Sequence, residues 1–310
     1  MTDRSTQAVD LRVNVAGMEL ANPVLLASGT CGYGEELEPF LDLSAVGGII
    51  TKTITPEPRS GNRPPRIVET PSGMLNAIGL QNPGVEGFVR DKWPFLAKLD
   101  TKVIVNIAAP TTEQHGDMTS RVDALEGVAG IEVNISCPNI KEGGVLFGCS
   151  PTAAAGVVEV VRKRTQLPVI VKLTPNVTDI TEIARAVVDA GADAVSLINT
   201  LVGMAVDLDA RRPVLGNVTG GLSGPAIKPV ALAQLWKVSQ VVDVPLLGLG
   251  GISTSRDALE FLVTGATAIQ VGTASFVRPG VAGDIVKGIG DYCRDAGIAC
   301  VRDLVGTLQS

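Results

Sequence analysis

Lys52 and Lys172 each close an apolar run, Ile49-Ile-Thr-Lys52 and Val169-Ile-Val-Lys172. An ammonium group at the end of a buried segment is costly unless it meets an anion or an electron-rich oxygen. Each lysine therefore either pairs with a carboxylate of the fold or serves a bound ligand, and Glu132 is the nearest carboxylate by sequence position for the first alternative. Asn76, Asn106, Asn134, Asn139 and Asn199 add amides in comparable places. One asparagine at a time reads as a turn former or cap. Together they offer the donors and acceptors that match the alternating N–H and C=O edge of a planar cyclic imide or ureide, which points to a pyrimidine-like substrate. Cys137 follows Asn134-Ile-Ser136 and precedes Pro138-Asn139. No carboxylate ends an apolar run and the single histidine, His115, does not either, so this thiol is the best proton acceptor in the set. Free thiols titrate near ~8.5, so such a base works better as pH rises. The alternative is an inert buried thiol.

Two glycine pairs supply a different function. Leu246-Leu-Gly-Leu-Gly-Gly-Ile252 and Val271-Gly-Thr-Ala274 are arranged so that backbone N–H groups can approach a phosphate closely, and Ser223-Gly224 can add donors. The competing explanation is that glycine relieves crowding there. Gly248-x-Gly250-x-x-Ser253 only superficially resembles a dinucleotide fingerprint, because the third glycine and the later acidic residue are missing. The phosphate then belongs to a mononucleotide cofactor or to the substrate. A flavin ring would also answer the two lysines, since a cation beside its N1–C2 carbonyl edge stabilises the reduced anion.

The elements that must position these groups are eight short apolar runs: Val24–Gly29, Gly47–Thr53, Lys102–Ala108, Ile131–Ser136, Val169–Thr174, Val195–Thr200, Leu246–Gly251 and Ala268–Thr273. Each is followed by a segment of helical periodicity. Strand then helix, repeated to the end of the chain, predicts one (β/α)8 TIM barrel domain over residues 1–310. In that fold the strand ends share one mouth, so Ser28, Lys52, Thr53, Asn106, Asn134, Lys172, Asn199, Thr200 and both glycine pairs converge. Helices are expected at Glu35–Leu43, Gly84–Leu99, Met118–Glu126, Thr152–Thr165, Asp179–Ala190, Pro229–Val241, Ser255–Val263 and Ala282–Ala296. Leu11–Val15 and Met18–Leu20 read as a short hairpin plugging the closed end. Three strand-to-helix loops are long, Thr55–Pro83, Cys137–Pro151 and Leu201–Pro225, and are expected to cover the mouth.

Composition narrows the function class. A hydrophobic share of 45% fits parallel strands buried on both faces, yet no apolar stretch reaches the roughly 20 residues that span a bilayer. The polar N-terminal residues MTDRSTQAVD do not read as a secretory signal, so a cytoplasmic protein is expected. A net charge of −6 with dispersed basic residues argues against nucleic-acid binding. The five cysteines, Cys31, Cys137, Cys149, Cys293 and Cys300, contain no C-x-x-C pair, so a metal cluster would have to come from another chain.

Thr51-Lys-Thr-Ile-Thr55, Asn76-Ala-Ile-Gly-Leu-Gln-Asn-Pro-Gly84, Asn134-Ile-Ser-Cys-Pro-Asn139, Lys172, Asn199-Thr200, Gly248-Leu-Gly-Gly-Ile252 and Val271-Gly-Thr-Ala274 together resemble the dihydroorotate dehydrogenases, in order along nearly the whole chain. Cysteine within Asn-Ile-Ser-Cys-Pro-Asn resembles class 1. Arg59-Ser-Gly-Asn-Arg-Pro-Pro-Arg66, followed by the segment from Glu69 to Gln81, is similar to class 1B.

The resemblance implies oxidation of dihydroorotate to orotate, with Cys137 taking the C5 proton. It implies a substrate site of Lys52, Asn76, Asn134, Asn139, Asn199 and Thr200 with the backbone of Ile78, Gly79 and Leu80. FMN would contact Ala27, Ser28, Lys52, Thr53, Asn106, Asn134, Lys172 and Ile198, its phosphate held by Gly224, Gly250, Gly251, Gly272 and Thr273. Class 1B further implies a partner subunit with FAD and a [2Fe–2S] cluster that passes electrons to NAD+, in a heterotetramer of two subunits of each kind. Alternatives are a fumarate-dependent class 1A enzyme, a dihydropyrimidine dehydrogenase-like subunit acting on uracil or thymine, and a non-redox phosphate-binding barrel.

Overall fold

The computed structural model describes residues 9–136, 141–142 and 145–309. Eight parallel strands close into a barrel: β1 Val24–Leu26, β2 Gly48–Ile50, β3 Lys102–Ile107, β4 Gly130–Asn134, β5 Val169–Lys172, β6 Ala194–Leu197, β7 Leu246–Leu249 and β8 Ala268–Val271. The ring runs β1 to β8 in chain order and shuts where β8 pairs with β1. Val and Ile dominate these strands and nearly every residue is buried, as parallel strands between a packed interior and a helical coat require. Register aligns Asn106 with Glu132, and Lys172 with both Asn134 and Ser196. Polar side chains thus occur at neighbouring levels of the barrel.

The outer helices are α1 Thr112–Asp123, α2 Pro151–Arg162, α3 Ile180–Asp189, α4 Lys228–Ser239, α5 Ser255–Thr264 and α6 Val281–Ala296. Thr111, Ser150, Asp179 and Thr254 cap α1, α2, α3 and α5 by accepting a backbone N–H, which satisfies donors a helix start leaves open. Periodicity predicts an apolar stripe of Ile180, Ile183, Ala184, Val187 and Val188 on α3; the first four are buried and Val188 is half-buried.

Two expected helices differ. Residues 35–43 form irregular turns, with Leu37 and Glu38 both bonded to Gly34 and Phe40 and Leu41 to Leu37. Pro39 has no N–H to continue the ladder. The helix expected from Met118 begins six residues earlier, at the Thr111 cap. The run from Gly84 to Leu96 is helical throughout, with a π turn at Phe88–Lys92 where Trp93 donates to Phe88 O ahead of Pro94.

At the closed end, Val13–Val15 and Met18–Leu20 form the expected hairpin around Ala16-Gly17, both with positive φ as a primed turn needs. Val13, Val15, Met18 and Leu20 are buried, and Met18 Sδ lies beside Gly130 at the start of β4.

At the open end, two of the long loops share one structure. Leu201–Met204, Thr219–Ser223, Gly73–Asn76 and Ile67–Thr70 pair in that order as a four-stranded antiparallel sheet. Segments following β2 and β6 are thereby tied into one cap, with Leu75, Ala77 and Leu215 as its small apolar core.

Gly248 shows how closely coat and barrel fit, since an added Cβ would stand 2.4 Å from Phe261 Cδ1 on α5. Phe261 is fully buried. Gly248→Ala is expected to lower stability by about 1–3 kcal/mol, the usual cost of overpacking, read as a lower urea midpoint with unchanged slope.

Candidate active site

The strand ends open into a cavity of ≈ 1760 Å³. A small-molecule site usually occupies roughly 300–1,000 Å³, so there is room for two ligands together. Ala27, Ser28, Lys52, Thr53, Asn134, Lys172 and Ile198 line the barrel side of this cavity. Asn76, Ile78, Gly79 and Leu80 line it from the cap, with Asn199 and Thr200 at the junction of barrel and cap. Gly224, Gly250, Gly251, Gly272 and Thr273 line the β7–β8 end. Cys137 and Asn139 lie outside the described residues. Asn106 is fully buried and takes its place beneath the wall, its N–H given to Thr51 Oγ1 and its C=O accepting from Ile54.

Several asparagines divide their bonding capacity between the fold and the cavity. Asn134 accepts from the Ser136 N–H at 3.1 Å and donates to Thr53 Oγ1 at 3.4 Å. Asn199 accepts from Thr200 N–H at 2.8 Å, and Asn76 donates to Gly221 O at 3.3 Å. Each therefore has a bonding role within the fold and still borders the cavity.

Within the cap, Gly79 and Leu80 take φ of +77° and +55°. The carbonyls of Ala77 and Ile78 accept from Asn62, and that of Leu80 from Asn82. Asn82 also accepts from Thr55 and Gly84 N–H groups, so one buried amide holds both ends of this loop. With the Ile78 and Leu80 carbonyls committed to the protein, the 78–80 backbone can offer N–H groups to an anion.

Lys172 answers both sequence readings. Its Nζ is 3.6 Å from Glu132 Oε1, with side-chain exposures of 6% and 0%, and the lysine also borders the cavity. Glu132 further accepts from Asn106 Nδ2 at 2.6 Å, Ser196 Oγ at 2.8 Å and Gln270 Nε2 at 3.0 Å. Gln270 and Ser196 were not singled out from the sequence, nor was Asn176, which bonds Thr174, Thr200 and Val202 and so fastens the loop after β5 to the cap. The available signal was a polar residue inside an apolar strand, as in Ala268-Ile-Gln-Val271. Gln270 Oε1 and Asn106 Oδ1 are buried with no partner among the described residues.

Other titratable groups are committed elsewhere. His115 is buried, donates through Nδ1 to Thr111 O, accepts the Ala109 N–H at Nε2 and packs edge-on against Phe147. Burial pushes the Cys31 thiol up to about 12, and its Sγ donates to Ile50 O, so it is no base near neutrality.

The family model for dihydroorotate dehydrogenase matches residues 10–292. The chain is 58% identical over 299 residues to a protein of Geotalea uraniireducens named dihydroorotate dehydrogenase B (NAD(+)), catalytic subunit, covering 96% of this chain and 98% of that one. It is 57% identical to a protein of the same name from Geotalea daltonii, over 97% of this chain and 98% of that one. A third of that name, from Pelobacter propionicus, is 56% identical over 97% of this chain and 99% of its own. The chain belongs to the dihydroorotate dehydrogenase family.

In this dihydroorotate dehydrogenase family member the glycine-rich end combines crowded and open positions. Gly251 has φ +80° and a Cβ there would lie 2.8 Å from Lys228 N and 2.9 Å from Gly224 O, so packing alone requires glycine. A Cβ on Gly272 would meet nothing nearer than 3.6 Å among the described residues. Protein packing does not demand glycine at Gly272; a ligand lying against the backbone would.

Asp257 braces the adjacent turn. Its carboxylate accepts from Lys228 Nζ, the N–H groups of Ser253 and Thr254, and both their hydroxyls. Burial works to raise its pKa, but the hydrogen bonds from Lys228, Thr254 and Ser253 prevail and hold it at about 2. A carboxyl held below its ordinary 3.8 stabilises the fold fully above that value and loses the effect as pH falls toward 2. Asp257→Asn is therefore expected to be less stable than the native protein near neutrality, with the gap closing between pH 4 and 2. Urea midpoints measured across that range check it.

Proposed function

We infer that this chain is the FMN-binding catalytic subunit of an NAD+-linked dihydroorotate dehydrogenase, oxidising dihydroorotate to orotate in pyrimidine biosynthesis. Family membership carries the reaction class. The observation in the molecule that supports a flavin is the unpartnered Gln270 Oε1, buried beside Lys172 at the cavity wall and able to accept from a planar ring's N–H. The open space at Gly272 fits the phosphoryl end of the same cofactor.

On this reading Ala27, Ser28, Lys52, Thr53, Asn106, Asn134, Lys172 and Ile198 hold the FMN ring, and Gly224, Gly250, Gly251, Gly272 and Thr273 its phosphate. Bound FMN supplies the acceptor for the hydride that leaves C6 of the substrate. Cys137 accepts the C5 proton. Lys52 and the N–H groups of Ile78, Gly79 and Leu80 bind the substrate carboxylate, while Asn76, Asn134, Asn139, Asn199 and Thr200 read the pyrimidine edge. Ser136 Oγ donates to Lys172 O at 2.8 Å and so fixes the end of β4 just ahead of Cys137. The cap sheet limits water over the reacting carbons.

The names of the related proteins favour NAD+ as final acceptor and a separate electron-transfer partner. FAD and a [2Fe–2S] cluster would belong to that partner, in an assembly of two subunits of each kind. No helix among the described residues is long and apolar enough to cross a membrane, which fits a cytoplasmic complex.

Anaerobic addition of dihydroorotate is expected to bleach the yellow purified protein, whereas dihydrouracil leaves it coloured. Reoxidation by NAD+ should need the partner, and rapid reoxidation by fumarate alone would transfer the protein to the fumarate-dependent class. Cys137→Ala is expected to retain FMN and lose about 10²–10⁴-fold in turnover, the usual share of a general base. Unchanged turnover would remove Cys137 from the reaction.

A further inference from the structure

Glu132 is a fully buried carboxylate that the proposed reaction does not use, and it holds side chains from four other strands: Asn106 on β3, Lys172 on β5, Ser196 on β6 and Gln270 on β8. An ionised carboxylate only accepts hydrogen bonds. Both amides must therefore turn their NH2 groups toward it, at 2.6 Å for Asn106 and 3.0 Å for Gln270. Their carbonyl oxygens are then forced the other way, and both are without a partner among the described residues. Gln270 borders the cavity, as does Lys172, whose ammonium lies 3.6 Å from the same carboxylate. One buried carboxylate thus sets the orientation of the Gln270 amide and lies beside the Lys172 ammonium at this part of the cavity wall.

We propose that Glu132 is a positioning residue for the flavin site, fixing the orientation of the Gln270 amide at the cavity wall and offsetting the Lys172 charge there. This rests on the FMN reading above. A glutamine at position 132 carries donors as well as acceptors, so it no longer dictates either amide's orientation, and it withdraws the charge that opposes Lys172. With less negative charge beside Lys172, a bound reduced anionic flavin would gain stability.

The test compares the native protein with Glu132→Gln and Glu132→Asp at a single pH near 6, measuring FMN affinity of the apoprotein by flavin fluorescence and the midpoint potential of bound FMN by dye equilibration. For Glu132→Gln the expected results are FMN binding weakened about 3–10-fold, the scale of one hydrogen bond, and a potential higher than native. Glu132→Asp keeps the charge and is expected to stay nearer the native potential. Ser196→Ala removes one donor to Glu132 without removing the charge, and serves if Glu132→Gln does not fold; it is expected to weaken FMN binding less than threefold with the potential little changed. A folded Glu132→Gln with native affinity and potential, or a Ser196→Ala that moves the potential as far as charge removal should, overturns the proposal. If the native protein itself binds no FMN, the cofactor reading fails, and this inference with it.

Discussion

A carboxylate shut away from water needs bonding partners around it, and Glu132 has them from four barrel strands. The requirement runs in both directions. Glu132 is tolerated because Asn106, Ser196, Gln270 and Lys172 surround it, and those four hold their orientations because the carboxylate can only accept. Removing one partner from such a network leaves an uncompensated charge, so its members act as a unit. The polar wall under the cavity is consequently built into the barrel, where strand pairing fixes it, rather than into the loops.

The covering structure obeys a different constraint. A loop crossing the mouth carries backbone N–H and C=O groups that must find partners, and here they find them in each other. The segments after β2 and β6 make a four-stranded sheet, with Asn76 and Gly221 bonded across 145 positions of sequence. Asn62, Asn82 and Asn176 take up much of what remains, by bonding loop carbonyls and N–H groups. The cap is thereby ordered without a large apolar core: among the described residues its buried cluster is Leu75, Ala77 and Leu215, with Val68, Ala205 and Leu222 packed against it.

The barrel was legible because its strands are apolar on both faces and its helices repeat with a period near 3.6. Lys52, Lys172, Asn134 and the glycine pairs could be placed at one mouth from their positions at strand ends alone. The cap sheet was not legible, because Gly73–Asn76 and Thr219–Ser223 are short and rich in glycine and polar residues, with partners far away in sequence. Gln270 and Ser196 escaped notice for a related reason. Each stands inside an apolar strand, where pattern reading registers only strand, although a polar side chain there must have a partner and so points to a buried network.

Two glycines at the β7–β8 end of the cavity place unequal demands on the backbone. At Gly251 the neighbouring Lys228 and Gly224 leave no room for a side chain, so the residue type follows from folding whatever binds there. At Gly272 the described residues would accept a Cβ, so packing against them does not account for the residue type. The sequence pattern Gly-Gly followed by Gly-Thr does not separate these cases; the distances around each α-carbon do. A glycine that packing requires is weak evidence for a ligand, whereas Gly272, where the described residues leave room, follows directly on the strand that carries Gln270, whose Oε1 has no partner among the described residues.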